Sequence, residues 1–189
     1  MDFIVVNISC PNVAWTSKLK DKDISNLIVA VRNARNEYCK DTPILLKIGP
    51  DYDASKMQSL ATIAMRTQVD GLVVSNTSTS RPASLTSPHH VEKGGLSGQP
   101  IKERAHATLH TMYKLTSGTL PIIGVGGIAN GEDAYARIRA GASLVEVYTA
   151  MTFAGPGLVQ EIKRDLDACL IRDGFASVRE AVGADHVDS

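Results

Sequence analysis

Residues 121–150, PIIGVGGIANGEDAYARIRAGASLVEVYTA, constrain this chain more than any other stretch, because they form one complete strand–turn–helix–strand unit. Ile122, Ile123 and Val125 make a short apolar run without polar alternation, the pattern of a parallel strand buried on both faces. Gly126-Gly127 ends it, where the backbone can turn sharply and a ligand can approach N–H groups that a Cβ would shield. Asn130 or Gly131 then caps a helix with Glu132 and Asp133 in its first turn, Ala134 and Ile138 on its apolar face, and a stop at Gly141. A second buried strand is predicted over Leu144 to Tyr148.

Two chemistries fit the glycines. Gly124, Gly126 and Ala129 satisfy the dinucleotide fingerprint, with Glu146 near the offset of a ribose-binding acid. Glu146, however, lies inside the strand pattern, and three strand candidates precede what should be the first strand–helix turn. The competing reading is the phosphate site of a TIM barrel, built by the loops after its last two strands and a short extra helix. The context favours the barrel.

The earlier chain repeats the alternation. Strands are predicted at Phe3 to Ile8, Ile44 to Ile48 and Gly71 to Ser75. Helices lie between them, one with Ile24, Leu27, Ile28, Val31 and Tyr38 at helical spacing, the next from about Ser55 to Thr67 with Met57, Leu60, Ala61, Ala64 and Met65 as its stripe. A long loop covers residues 78–99, a length typical of lids. A third helix starts near Pro100 and carries Ala105, Leu109, Met112 and Tyr113 inward; another holds Leu158, Val159, Ile162, Leu166 and Leu170. Ser177 with Glu180 predicts a capping box on a short terminal helix. Strictly alternating strands and helices make the class α/β with a parallel sheet.

Composition narrows the function classes. A formal net charge of zero with 43% hydrophobic residues argues against a nucleic-acid binder or a disordered chain. No apolar run reaches the roughly 18 residues of a membrane span, and Met1 is not followed by a recognisable targeting signal. Cys10, Cys39 and Cys169 are too scattered for a disulfide framework or a structural zinc site, and the His89-His90 pair lacks convergent partners, so no metal is expected.

Several segments in order, NISCPN, LLKIGPD, GLVVSNTSTSRP, GGLSGQPI, PIIGVGGIANGEDA, LVEVYTAMTF and GADH, resemble dihydroorotate dehydrogenase, and more closely its quinone-reducing, membrane-associated class. The resemblance implies an FMN-dependent TIM (β/α)₈ barrel that oxidises dihydroorotate to orotate in pyrimidine synthesis, with a quinone as final acceptor. Residues 1–189 supply five strand–helix units, and at 189 residues fall short of the roughly 250 of a complete barrel. They correspond to the C-terminal part of that single domain. The family's N-terminal part carries the first strands, the quinone tunnel and the segment that targets it to the mitochondrial inner membrane.

The resemblance also implies roles. Lys47, a charge inside an apolar strand, contacts the flavin and stabilises negative charge on the reduced ring. Asn7, Asn12, Asn76 and Thr77 bind dihydroorotate; Asn7 and Ser75 also neighbour the flavin. Ser97, Gly98, Gly126, Gly127, Tyr148 and Thr149 hold the FMN phosphate and ribityl chain. Cys10 is the base that takes a proton from C5 of dihydroorotate. Quinone-linked members generally carry serine there and the soluble class cysteine, whose thiol ionises far more readily than a hydroxyl. Trp15-Thr16-Ser17 departs from the Gly-Leu-Arg usual in the quinone class. Other readings stand beside these: Lys47 as a snorkelling lysine or a Schiff-base lysine of an aldolase, Cys10 as a small packing residue, and the whole as a non-catalytic fragment.

Overall fold

The computed structural model describes residues 1–13 and 16–186, the side chain of Ser17 apart, so the predicted departure at Trp15 lies outside the described residues. Five strands form one parallel sheet: β1 Ile4–Asn7, β2 Ile44–Ile48, β3 Gly71–Val74, β4 Ile122–Val125 and β5 Leu144–Glu146. Their order is sequential, β1-β2-β3-β4-β5, so each strand pairs with its neighbours in sequence. Between them run α1 Asp21–Tyr38, α2 Ala54–Thr67, α3 Lys102–Leu115 and α4 Gly131–Arg139; α5 Thr149–Ala154, α6 Leu158–Asp173 and α7 Val178–Ala181 follow.

Strand periodicity divides the sheet into two faces. Ile44, Leu46 and Ile48 of β2, Leu72 and Val74 of β3 and Ile122 of β4 point to the helices, where they join Ile28, Leu60, Leu109, Met112 and Ile138 in the main core. Each such fully buried aliphatic side chain contributes about 1.5–3 kcal/mol of hydrophobic stabilisation. Leu45, Val73 and Ile123 form a smaller cluster on the opposite, inner face. That face opens towards the sheet edges: Val5 on β1 is 37% exposed and Leu144 on β5 is 52% exposed.

Leu144 corrects the expectation of a fully buried last strand. β5 pairs only with β4, so its inward side chains have no neighbour on the far side, and the strand ends at Glu146 rather than Tyr148. Tyr38, Met65 and Val159, placed on apolar stripes by their spacing, are likewise exposed. The predicted capping box also differs: the Glu180 carboxylate accepts from the N–H of Ala176, one residue before Ser177, and the Ser177 side chain makes no capping bond.

The cap of α4 is Asn130, whose Oδ1 accepts the Asp133 N–H at 2.8 Å. α2 is capped by Asp53, whose carboxylate accepts from Lys56 N–H at 2.7 Å. α1 and α2 are tied by Lys56 to Asp21 at 2.7 Å, and the hydrogen bonds from Lys56 and Ser59 hold the Asp21 carboxyl below its ordinary value.

Candidate functional site

All five strands point their C-terminal ends to one rim of the sheet, and the side chains on the inner face at that rim define the site. Register places Asn7 of β1 beside Lys47 of β2, and Lys47 beside Val73 of β3. Lys47 is half-buried, between the apolar cluster below it and an open cleft above.

That cleft encloses about 370 Å³, within the range of small-molecule sites. Lys47, Ser75, Asn76 and Thr77 line it from β2 and the exit of β3. Ser97 and Gly98 come from the long loop, Gly126 and Gly127 from the exit of β4, and Tyr148 and Thr149 from the exit of β5. Sequence reasoning therefore identified most of one wall set, drawn from segments far apart in the chain. It missed the apolar lining of Ile101, Ile128 and Val147; Glu146, weighed from sequence only as a ribose-binding acid of a dinucleotide site, also lines the cleft from β5.

Asn7 lies beside this cleft, outside its lining, and is joined to it by hydrogen bonds. Its Oδ1 accepts from Asn76 Nδ2 at 3.1 Å and from the Ser9 N–H at 3.1 Å. Asn76 Nδ2 also reaches Ser9 Oγ at 3.1 Å, and Asn76 Oδ1 accepts the Thr77 N–H at 2.8 Å. Ser9, not singled out from sequence, thus completes an Asn7–Ser9–Asn76–Thr77 network, and its own Oγ donates to the Lys47 carbonyl at 3.1 Å. Such amides offer both donors and acceptors to a small polar heterocycle.

Cys10 is half-buried and lies in a second, adjoining cleft of about 240 Å³ with Ser9, Pro11, Asp51 and Tyr52. Thr77 lines both clefts and forms the wall they share. Burial, with the neighbouring Asp51 carboxylate, pushes the Tyr52 hydroxyl pKa up. Asn12 is exposed and lines neither cleft, although its Oδ1 comes within van der Waals range of a Cβ placed on Gly94.

The long loop is pinned over the rim. Ser78 and Leu96 exchange two backbone hydrogen bonds at 3.0 and 2.7 Å, closing its base. The Arg81 guanidinium then gathers the carbonyls of His90 at 2.9 Å, Glu92 at 2.9 Å and Gly94 at 2.8 Å. Asp51 accepts from Ser78 Oγ at 2.6 Å and from the Thr79 N–H at 2.7 Å, fixing the near side of the loop to the end of β2. His89 and His90 turn to separate partners, Glu92 Oε1 and the Ser87 carbonyl. Among the described residues no group of three or more His, Cys, Asp or Glu is placed to hold a metal.

Behind Gly126-Gly127 the backbone is crowded. Gly126 has φ +105° and Gly127 φ +76°, a region that favours glycine, and a Cβ on Gly127 would lie 2.5 Å from Lys102 Cα. The glycine is thus required by its backbone angle and by packing against the start of α3, not by ligand approach alone. Gly98 has φ +77°, and a Cβ there would come 3.0 Å from Thr149 Cγ2, whose Oγ1 hydrogen-bonds Ser97 Oγ at 2.9 Å.

With this geometry in hand, comparison with known proteins is informative. Residues 1–170 match the family model for dihydroorotate dehydrogenase. The chain is 49% identical to dihydroorotate dehydrogenase (quinone) of Rhodospirillum rubrum, covering 99% of this chain and 52% of that one. It is 44% identical to the mitochondrial dihydroorotate dehydrogenase (quinone) of Arabidopsis thaliana, covering 98% of this chain and 42% of the relative. A ligand-free DHODH crystal structure from Eimeria tenella superposes with a TM-score of 0.92 at 38% identity, over 98% of this chain and 56% of that chain. The chain therefore spans about half the length of the curated relatives it matches. The α/β fold expected from sequence, a parallel sheet of TIM-barrel type present here as five strands, is the fold shared with these structures. By sequence and by fold, this chain is a member of the dihydroorotate dehydrogenase family.

Proposed function

We propose that the chain forms the C-terminal part of a single FMN-binding barrel that oxidises dihydroorotate to orotate in pyrimidine synthesis and passes electrons to a quinone. The carrying observation is the convergence of Lys47, Ser75, Asn76 and Thr77 with the Ser97-Gly98 and Gly126-Gly127 turns on one cleft. The quinone in the relatives' names, and the word mitochondrial in the plant one, support the acceptor and an inner-membrane setting. Among the described residues no helix is long and apolar enough to cross a membrane; in this reading quinone binding and membrane association belong to the part of the longer chain that the match does not cover.

The cleft suits FMN on its own chemistry. Val125, Ile128 and Val147 give apolar lining for a flat ring system, and the turns at Gly98 and Gly126-Gly127 leave backbone unshielded by a Cβ that can meet a phosphate. When bound, FMN would supply the hydride acceptor. Lys47 places a fixed positive charge at the floor of the cleft, where negative charge develops. Asn7, Asn76 and Thr77, held by their mutual hydrogen bonds, orient dihydroorotate. Asn12, next to the loop glycine Gly94, is taken in the same reading as a further substrate contact. Cys10 Sγ, across the Thr77 wall, takes the proton from substrate C5.

The test joins this chain to the N-terminal portion of the Rhodospirillum relative that lies outside the match, loads FMN and adds dihydroorotate without oxygen. Bleaching of the flavin absorbance is expected, with reoxidation on adding a soluble quinone. A protein that binds FMN but does not bleach would overturn the reading.

A further inference from the structure

α4 carries a buried cation that the functional reading leaves unused. Arg137 is 2% exposed, three residues after Ala134 and next to Ile138, so helical spacing carries a charge onto the buried face. A guanidinium so placed is costly unless its donors find acceptors. Its Nη2 donates to the Gly126 carbonyl at 2.6 Å and to the Lys102 carbonyl at 2.8 Å. Burial pulls its pKa down to about 10, against the opposing influence of Asp133 and Glu103.

One turn earlier, Asp133 extends the same scaffold. Its carboxylate accepts the Ala129 N–H at 2.9 Å and Gln99 Nε2 at 3.3 Å and pairs with Lys102 Nζ. Burial works against its charge, but these hydrogen bonds outweigh it and hold the carboxyl below its ordinary value. Gln99 Nε2 also donates to the Gly127 carbonyl at 2.9 Å. Asp133, Arg137 and Gln99 therefore knit the loop after β4 to the entry of α3, from the side away from the cleft. The cavity of about 260 Å³ behind the loop has Glu103 and Asp133 on its wall along with Lys102 and Arg137, a balance of charge that marks support rather than an anion site.

Peptide planarity turns this support into direction. In a trans peptide the C=O and the following N–H point opposite ways. Drawing the Gly126 carbonyl back to Arg137 sends the Gly127 N–H forward, and drawing the Gly127 carbonyl to Gln99 sends the Ile128 N–H forward. Gly126, Gly127 and Ile128 all line the main cleft, whereas Arg137 does not. Among the described residues, neither the Gly127 nor the Ile128 N–H donates to a protein acceptor.

We propose that Arg137 is a positioning residue which, from behind the loop, aims the Gly127 N–H at a phosphate monoester in the cleft. The proposal rests on the flavin reading above, with the phosphate of FMN as the anion. Arg137 touches neither ligand nor reacting atoms; it acts through the Gly126 peptide.

The test titrates the joined protein described above with FMN and with riboflavin, which lacks the phosphate, following quenching of flavin fluorescence. Arg137→Met keeps the bulk of the side chain and removes its donors; Arg137→Lys restores a donor. The parent should prefer FMN. Arg137→Met should lose about tenfold of that preference while binding riboflavin as the parent does, and Arg137→Lys should recover most of it. The ³¹P resonance of bound FMN should shift in the Met variant and return in the Lys variant. An unchanged preference in Arg137→Met, or equal loss of both flavins, overturns the positioning role. A parent chain that does not favour FMN over riboflavin overturns the flavin reading itself, and the positioning role with it.

Discussion

Asn76 and Asn7 meet at 3.1 Å across the end of β2, so that β1 and β3, which do not pair with each other, are joined by side chains directly over the strand that carries Lys47. The same Asn76 amide reaches Ser9 Oγ, so removing it leaves two acceptors, one at the end of β1 and one just beyond it, without their shared donor. In the joined protein, Asn76→Ala should weaken orotate binding by about tenfold, the effect of losing one well-placed polar contact. Asn7→Ala in the same background should add little, because the pair acts as a unit. Orotate titrations followed by flavin absorbance would measure this; strictly additive losses would show that the two amides bind independently.

Gly127 and Lys47 should separate binding from chemistry. Gly127→Val forces a β-branched residue into a φ of +76° and pushes its Cβ onto Lys102, so FMN affinity should fall at least tenfold. Lys47→Ala leaves the glycine loops intact and should retain FMN better, yet slow flavin reduction by about 10²-fold through loss of a fixed charge. Binding constants and stopped-flow bleaching on both variants provide the comparison. Equal loss of FMN in the two would contradict the division.

Cys10 lines the second cleft, which shares Thr77 with the cleft that Lys47 lines, and the proposed reading makes it the base. Cys10→Ala should slow dihydroorotate-driven bleaching by about 10²–10⁴-fold, the usual worth of a general base. Cys10→Ser should fall between the two, since a hydroxyl keeps hydrogen-bonding capacity but ionises less readily. If Cys10→Ala bleaches as fast as the parent, the cysteine only fills space.

The far end of α3 predicts a pH response of stability. His110 stacks on His186 at 4.0 Å between ring centroids, and Tyr113 packs on the same ring at 4.7 Å. Burial, then the facing His186 and nearby Lys114, push the His110 pKa below its ordinary 6.5, against the pull of Asp185. His106 is lowered by burial and by Arg137, with Glu103 and Asp185 opposing. A depressed folded-state value means the unfolded chain takes up the proton first, so this stability is present above pH 6.5 and is lost as pH falls through the lowered values. Urea midpoints should drop from about pH 7.5 to about pH 5, and His110→Gln should flatten the decline. An identical slope in that variant would place the titrating group elsewhere.

Legibility tracked the range of the interactions concerned. β2 runs over Ile44–Ile48 as read, because burial on both faces leaves a continuous apolar run in the sequence. The same signature misled at β5, where Leu144 is apolar for a face that stays half open in this chain. Gly126-Gly127 was visible because backbone angles demand glycine locally, whereas Ser97 and Gly98 were reached through the family resemblance. Arg137 and Asp133 were not, since their partners are carbonyls and amides at Gly126, Ala129 and Lys102 that the helix pattern does not encode. Ser9 escaped for the same reason: its partners Asn76 and Lys47 lie far along the chain.

The sequential strand order makes the molecule a one-dimensional array. Each strand–helix unit leans on the unit before it and the unit after it, and α1 packs on α2 as α2 packs on α3. In such an array, disturbance passes from neighbour to neighbour and fades with each interface. A substitution that loosens β1 should therefore reach the amide network of Asn7 long before it reaches the glycine loop beyond β4. The amide network anchored on β1 and the glycine loop beyond β4, set on different strands of the same rim, can then drift independently through mutation while the sheet between them holds its register.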